Sequence, residues 1–287
     1  SEDSHFFNAN FRPFDYLTLV QYYGINPNFN RSDDTYFFSA LGGTYIIDAG
    51  GIDTIDASEF TKDAFIDLRE NSHSYIGINH PYISSSFQMT ISKHSQIENV
   101  VSGSGNDHII GNDLDNYIIT GKGDDQVFAN NGRDVIDLGS GANKVNLYEQ
   151  TPANDFVVFA IGSTSDYTEI YNFNVGGTCD VLVFECDIAG SPSISPVLKV
   201  SEVTNFNQYD IYRLTDFTTN SKLDSPLYRS STDKIIFSNE DEGLNFDTQV
   251  FFFDTSAETD AQVFSIASIA TNGASLSDWS IENFMLM

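Results

Sequence analysis

Between Ser102 and Asn146 an acidic or amide residue returns every nine positions, at Asp107, Asn116, Asp125, Asp134 and Asn143. A branched aliphatic follows two residues behind each, at Ile109, Ile118, Val127, Ile136 and Val145. Carboxylates and amides at fixed spacing, separated by glycine-rich turns, offer oxygen donors in series without thiol or imidazole. That donor set suits a hard cation. An ion that accepts six to eight oxygens at relaxed geometry, as calcium does, fits it better than zinc.

The elements that would position these oxygens follow from the spacing. Each repeat divides into a six-residue turn and a three-residue strand, so two repeats close one turn of a flattened coil. A single turn cannot bury its aliphatic alone, and stacking supplies the core. Gly103, Gly121 and Gly139 in one set of repeats, and Asn112 and Asn130 in the other, are expected to hold the φ > 0 positions of the turns. Alternate repeats then line opposite edges. On the first edge Asp107 and Asp125, with backbone carbonyls of the turns, make the strongest expected site. Asp125 with Asn143 carries one charge fewer. On the second edge Asn116 faces Asp134, and Leu114 stands where a glycine is expected, which makes this site the weakest. The repeat matches G-G-x-G-x-D-x-U-x, the signature of the calcium-binding parallel β-helix of RTX proteins. The competing reading is a metal-free solenoid whose Asp and Asn residues only cap turns.

Composition points the same way. The chain of 287 residues has a formal charge of −28 with only 13 Lys and Arg, which argues against nucleic acid or an anionic membrane as partner. Carboxylates at this density repel one another unless cations sit among them, which would couple metal binding to folding; a merely soluble or salt-adapted acidic surface is the alternative. Cys179 and Cys186 lie in CDVLVFEC. On one strand their ends would be roughly 23 Å apart, so buried free thiols are expected there. No run of 18 apolar residues appears, so no membrane insertion is expected, and the start SEDSHFFNAN has no signal-peptide pattern.

Along the chain, residues 1–12 read as an extended arm. PFDYLTLVQYY, from Pro13 to Tyr23, reads as a short amphipathic helix with Phe14, Leu17, Val20 and Tyr23 on its apolar side and Gly24 as its stop. YIIDAGGIDTIDASEF and AFIDLRE read as short strands, residues 72–90 as an irregular excursion, and QIENVV as the lead into the repeats. ANDFVVF places Asp155 twelve residues after Asn143, a slip of three that is expected to end the solenoid. Strands alternating with polar turns follow, among them TEIYNFNVGGTCDVLVF, YDIYRLTDF, DKIIFS, TQVFFFD, QVFSIASI and WSIENFMLM. The expected fold is mainly β. It comprises an arm and short helix over 1–30, a parallel β-roll over 31–160 and an antiparallel β-sandwich over 161–287 that covers the open end of the roll.

PFDYLTLVQYYGINPNFNRSDDTYFF, DAGGIDTIDASEF, FIDLREN, IENVVSGSGNDHIIGNDLDN and a later DVLVF together resemble the C-terminal half of the serralysin-type secreted metalloproteases, over roughly residues 13–185. The resemblance implies several bound calcium ions. It places one between Arg31, Asp33, Thr35, Asp48, Gly50 and Asp53, and a second between Gly51, Asp53, Gln96 and Glu98. A third falls to Gly103, Gly105 and Asp107 with Thr120, Lys122 and Asp125, and a fourth to Gly121, Gly123 and Asp125 with Leu138, Ser140 and Asn143. On the other edge it groups Asn112, Leu114 and Asn116 with Ala129, Asn131 and Asp134. Asp33 departs from the usual glycine and Gln96 from the usual threonine. The tail ENFMLM resembles the uncleaved C-terminal signal of type I secretion substrates, although a last β-strand would look the same. The implied setting is extracellular, on or outside a bacterial cell.

Zinc proteolysis needs H-E-x-x-H on a helix. His5, His73, His80, His94 and His108 do not form it, and no G-x-S-x-G occurs, so neither zinc nor catalysis is expected in this chain. Three functions remain open at this stage. One is a non-catalytic C-terminal module of a secreted metalloprotease, with calcium ions and the type I secretion machinery as partners. Another is a self-associating structural protein of a surface layer, filament or adhesin, for which 24 Phe and 14 Tyr would provide contact area. The third is an enzyme of unfamiliar chemistry.

Overall fold

A computed structural model describes residues 13–160, 167–175, 180–185, 211–214, 234–238, 248–254, 262–271 and 284–286. Among these residues the one helix, α1 (Pro13–Tyr23), starts on a proline and ends where Gly24 turns to φ 76° and donates its N–H to the Val20 carbonyl at 2.9 Å. Val20 is buried, but Tyr23 is 85 % exposed and does not join the apolar side; the side chains of Phe14 and Leu17 lie outside the described residues. No described helix is long and apolar enough to cross a membrane.

Strands β1 (Thr35–Phe37), β2 (Thr44–Ile46), β3 (Thr54–Asp56), β4 (Ala64–Asp67), β5 (His73–Ile76), β6 (Gln88–Ile91) and β7 (Asn99–Val101) lead into the repeats. The repeats form β8 (His108–Ile110), β9 (Tyr117–Ile119), β10 (Gln126–Phe128), β11 (Val135–Asp137) and β12 (Ala142–Asn146). Beyond them come β13 (Phe156–Ala160), β14 (Tyr167–Tyr171), β15 (Val181–Glu185), β16 (Ile211–Leu214), β17 (Lys234–Ser238), β18 (Thr248–Asp254), β19 (Gln262–Ala270) and β20 (Phe284–Leu286). One sheet stacks β1-β3-β7-β9-β11-β13-β15-β20, and the other contains β4-β8-β10-β12-β14-β19 in the same handed-on order. Every neighbouring pair along these two runs is parallel, so the architecture is the expected parallel β-roll. Antiparallel pairing appears at the C-terminal end, between β17, β18 and β19.

The core is the interior between the two sheets. From β7 to β11 the middle residue of each strand points inward, as Val145 of β12 does, and Val100, Ile109, Ile118, Val127, Ile136 and Val145 are all fully buried. Stacking in register, as Val127 on Val145 and Ile136 on Ile118, makes one continuous aliphatic column. Truncating one member leaves a cavity that rigid neighbouring turns cannot close. Ile136→Ala is therefore expected to lower the stability of the folded chain by about 2–5 kcal/mol, measured by urea unfolding.

Three sequence expectations change. Residues 72–90 are irregular only over 77–87: β5 and β6 flank those turns, and β4, β5 and β6 form an antiparallel meander that β2 joins in parallel. Ser74 takes an inward position opposite Met89, while Gln88 is buried on the other face, where it bonds His73 and the Ile78 carbonyl, so both strands were hidden behind polar letters. Nor does the roll end at the slip before Asp155. Val135 still pairs with Phe156 and Phe156 with Val181, so the extra residues are taken up in the turn. Finally, of the expected φ > 0 positions Gly121, Gly139 and Asn130 hold but Gly103 and Asn112 do not, and Gly123, Gly132 and Gly141 take that conformation as well. Gly103 is required for a different reason, since a Cβ there would lie 2.0 Å from the Phe60 carbonyl oxygen. The arm over 1–12 and both cysteines fall outside the described residues. Phe284–Leu286 of the tail are strand β20, in register with Leu182–Phe184.

Candidate metal centre

Strands β8, β9, β10, β11, β13 and β15 are each preceded by an Asp or Asn, and β12 holds Asn143 near its start. On the first edge Asp107 Oδ1 accepts the Ala64 N–H at 2.7 Å, Asp125 Oδ1 accepts that of Asp107 at 2.8 Å, and Asn143 Oδ1 that of Asp125 at 2.9 Å. On the second edge Asp134 Oδ1 accepts the Asn116 N–H at 2.8 Å, Asp155 that of Asp134 at 2.9 Å, and Asp180 that of Asp155 at 3.1 Å. The same edge begins with Asp53 accepting the Asp34 N–H and Glu98 accepting the Asp53 N–H, both at 2.8 Å. The ladder orients every carboxylate by one oxygen and leaves the other unengaged by it.

The turns between the rungs stack as tightly as the residues predicted. Gly103 and Gly105 lie under Lys122 and Gly123: Lys122 donates to the Gly103 carbonyl at 3.0 Å, and a Cβ on Gly123 would come within 2.0 Å of the Gly105 oxygen. Ser102 Oγ donates to the Thr120 carbonyl at 2.7 Å. Gly121 and Ser140 bond through the Ser140 N–H, and Gly123 donates to the Ser140 carbonyl, each at 2.9 Å. Leu138 is buried beside them, its carbonyl accepting both Thr120 Oγ1 and Asn143 Nδ2. On the second edge Asn112, Leu114 and Asn116 stack on Ala129, Asn131 and Asp134 through the Asn116–Asp134 bond and a Gly132 whose Cβ would meet the Leu114 oxygen at 2.3 Å. Asn116 spends its amide on the Glu98 carbonyl and Asn112 Oδ1, both at 3.0 Å, so the amide substitution is already satisfied internally.

Near the N-terminus the structure brings together Asp34, Asp48 and Asp53, each offering a carboxylate oxygen within 4.8 Å of the others. Thr35 follows Asp34 directly, and Arg31 and Asp33 lie in the loop before it. Gly50 donates to Asp48 at 2.8 Å, and Gly51 has φ 147° with no room for a Cβ beside the Ser32 carbonyl. Asp33 takes the Ile52 N–H at 2.9 Å. Gln96 is exposed, two residues from Glu98. Tyr36 and Asn30, absent from the sequence-derived set, hydrogen-bond Asp48 Oδ2 at 2.5 and 3.0 Å. Asp34, Asp155 and Asp180 were also missed as site residues. Asp155 and Asp180 carry the repeat's own signal, an acid two residues before the buried Val157 and Leu182, outside the nine-residue period.

Buried carboxylates without counter-charge resist ionisation. Burial pushes Asp53, Asp125 and Asp180 up to about 7, Asp155 to about 8 and Asp134 to about 9, with neighbouring carboxylates adding to the shift. Asp48, Glu98 and Asp107 are raised for the same first cause. Among the described residues, Asp53, Asp125, Asp134 and Asp155 each have a buried Oδ2 with no hydrogen-bond partner. A native interior seldom leaves such an atom orphaned. These oxygens, set among backbone carbonyls, fit calcium, which takes only oxygen ligands in flexible geometry.

A parallel solenoid with ladders of buried acids on both edges defines an acidic-edged β-roll. Residues 21–200 match the family described as Peptidase M10 serralysin C terminal, and the chain belongs to that family. It is similar to Serralysin from Proteus mirabilis, 35 % identical over 115 residues, which cover 35 % of this chain and 22 % of that protein. Metallopeptidase AprA from Pseudomonas marginalis is 34 % identical over 118 residues, 36 % of this chain and 24 % of its own. Metalloprotease AprA from Pseudomonas entomophila (strain L48) is 38 % identical over 101 residues, 33 % of this chain and 19 % of its own. The chain thus matches less than a quarter of the length of each of these relatives.

Proposed function

We propose that this chain is a calcium-binding module that folds around its ions outside the cell and serves as the non-catalytic C-terminal part of a serralysin-like protease. The observation that carries the reading is the set of buried, orphaned carboxylate oxygens repeated along both edges. A fold that isolates so many acids from water is complete only when cations share those oxygens. Asp107 and Asp125, with the carbonyls around Gly103, Gly105, Thr120 and Lys122, would hold one such ion; the N-terminal acids Asp48, Asp53 and Glu98 would hold others. Bound calcium supplies positive charge to the turns and no chemistry beyond that. The residues themselves do the structural work: the ladder fixes each carboxylate, and the glycines let successive turns close to contact distance.

The same coupling suits type I export. In a calcium-poor cytosol the chain would remain unfolded and threadable, and extracellular calcium would fold it after release. The family match favours the protease-module reading over the stand-alone structural one.

Asp125→Asn tests the metal reading. The amide keeps an acceptor for the Asp107 N–H, but the charge shared by two successive sites is gone. Calcium titration calorimetry is expected to show both first-edge sites weakened by roughly tenfold or more, with the second edge unaffected. Identical titrations of parent and variant would refute calcium ligation by Asp125.

A further inference from the structure

Four turns follow successive strands of one sheet: residues 68–70 after β4, 111–114 after β8, 129–132 after β10 and 147–150 after β12. They stack directly, Leu68 donating to the Ile110 carbonyl at 2.8 Å, Gly111 to that of Phe128 at 2.8 Å and Ala129 to that of Asn146 at 3.1 Å. The second residue of each turn is Arg69, Asn112, Asn130 or Tyr148. The two asparagines fold back onto the stack. Asn112 Nδ2 donates to the Leu68 and Ile97 carbonyls at 3.2 and 2.7 Å, and Asn130 Nδ2 to the Gly111 carbonyl at 2.8 Å. Arg69 and Tyr148 stand out instead, with 56 % of the Arg69 side chain and 63 % of Tyr148 exposed. Two tucked residues between two standing ones leave a trough of about 790 Å³ along the stack.

The lining of the trough is polar and already held in place. Asn131 Nδ2 donates to Asp113 Oδ1 at 2.6 Å, and Asn131 Oδ1 accepts the Gln150 N–H at 2.8 Å. At the Arg69 end Glu70 Oε2 accepts the His94 N–H at 2.7 Å, and Gln96 is exposed beside them. Arg69 is fixed by a fork on Asp67, Nε at 2.9 Å and Nη2 at 2.6 Å, which leaves Nη1 for a ligand. Neither Asp134 nor Asp155 lines the trough, so it is separate from the ladder of buried acids.

Small-molecule sites of this volume are mostly apolar. Carboxylates, amides and a guanidinium alternating over a short distance suit hydroxyl groups, each of which donates and accepts. Tyr148 adds an aromatic face at one end. A net charge of −28 repels an anionic ligand. The spacing selects further. Stacked strands lie about 4.8 Å apart, so the four turns span about 14 Å, close to three pyranose units of an extended chain. An extended peptide repeats its side chains about every 6.6 Å, out of step with the turns. The Leu68 and Gly111 carbonyls it would pair with are spent on Asn112 and Asn130.

We propose that this trough binds a neutral oligosaccharide of about three pyranose units, with Tyr148 stacking on one end unit and Arg69, Glu70 and Gln96 bonding the hydroxyls of the other. Glycan attachment is thereby added to the role of the roll. Titration calorimetry of the full chain at millimolar calcium, with cellotriose, maltotriose and triacetylchitotriose as probes, tests the site. At least one probe is expected to bind with a Kd of about 1 mM or below. Tyr148→Ala is expected to weaken that binding by roughly tenfold. Tyr117→Ala, which removes an exposed tyrosine on β9, is expected to bind as the parent does. Gln96→Ala, at the far end, is expected to weaken binding by about threefold or more and decides the matter should Tyr148→Ala not fold. Three probes that give no heat at about 10 mM overturn the proposal. Binding that survives both Tyr148→Ala and Gln96→Ala unchanged puts the sugar elsewhere and overturns it as well. A chain that takes pentalysine and none of the sugars has a groove for cationic peptide, which is a third way for the proposal to fail. Calcium titration of the same chain reports on the metal reading independently of any of these results.

Discussion

Removing calcium is expected to unfold the roll. In chelator, far-ultraviolet circular dichroism should lose its β signature, and titration to millimolar calcium should restore it in one cooperative step. The physical reason is the balance between a net charge of −28 and an interior that places Asp53, Asp125, Asp134 and Asp155 out of contact with water. Each buried carboxylate must be neutralised for the turns to stack, and among the described bases few face those edges. Stacking in turn is what buries the aliphatic column, so the loss of the ions removes the core as well. Sedimentation velocity on the same samples distinguishes the two extracellular roles: a monomer at every calcium level agrees with a protease module, whereas calcium-driven assembly favours a structural subunit. A chain that keeps its full β signal in chelator would overturn calcium-coupled folding.

The second large effect concerns pH in the absence of metal. Unfolded aspartates titrate near about 3.9, whereas in the fold burial raises Asp53, Asp125 and Asp180 to about 7, Asp155 to about 8 and Asp134 to about 9. Between these limits the folded state binds more protons than the unfolded state, so stability falls as pH rises. The contribution of these groups is fully present below about pH 4 and is lost as pH climbs through about 7 to 9. A calcium-depleted chain that is unfolded at pH 9 is therefore expected to regain β structure on acidification to about pH 5, with protons taking the place of ions. With calcium bound the sign reverses, because the ligands must be deprotonated and acid competes with the metal. Thermal melts from pH 5 to 9, with and without calcium, should give curves of opposite slope. Rising stability with pH in the calcium-free chain would show that these carboxylates are not buried as described.

How far the sequence reached can be judged from particular residues. The nine-residue period named the inward aliphatics from Ile109 to Val145 and the rungs from Asp107 to Asn143, because a three-residue strand with one buried position leaves a strictly local, repeated mark. The helix over Pro13–Tyr23 was legible for a similar reason, since its proline start and glycine stop act within one turn. Where the period broke, sequence alone misjudged the consequence. The slip before Asp155 read as an end, yet β13 keeps its register and the turn absorbs the surplus, a choice made by hydrogen bonding between strands that are distant in sequence. Ser74 and Gln88 concealed β5 and β6, because a polar residue inside a sheet depends on partners that local pattern cannot supply. By itself the sequence determined the repeat, its inward column and the oxygen chemistry of its edges, all set by short-range spacing. Tertiary structure decided which acids lose water together and which oxygens are left without a donor, because burial is a property of stacked turns and not of any one of them.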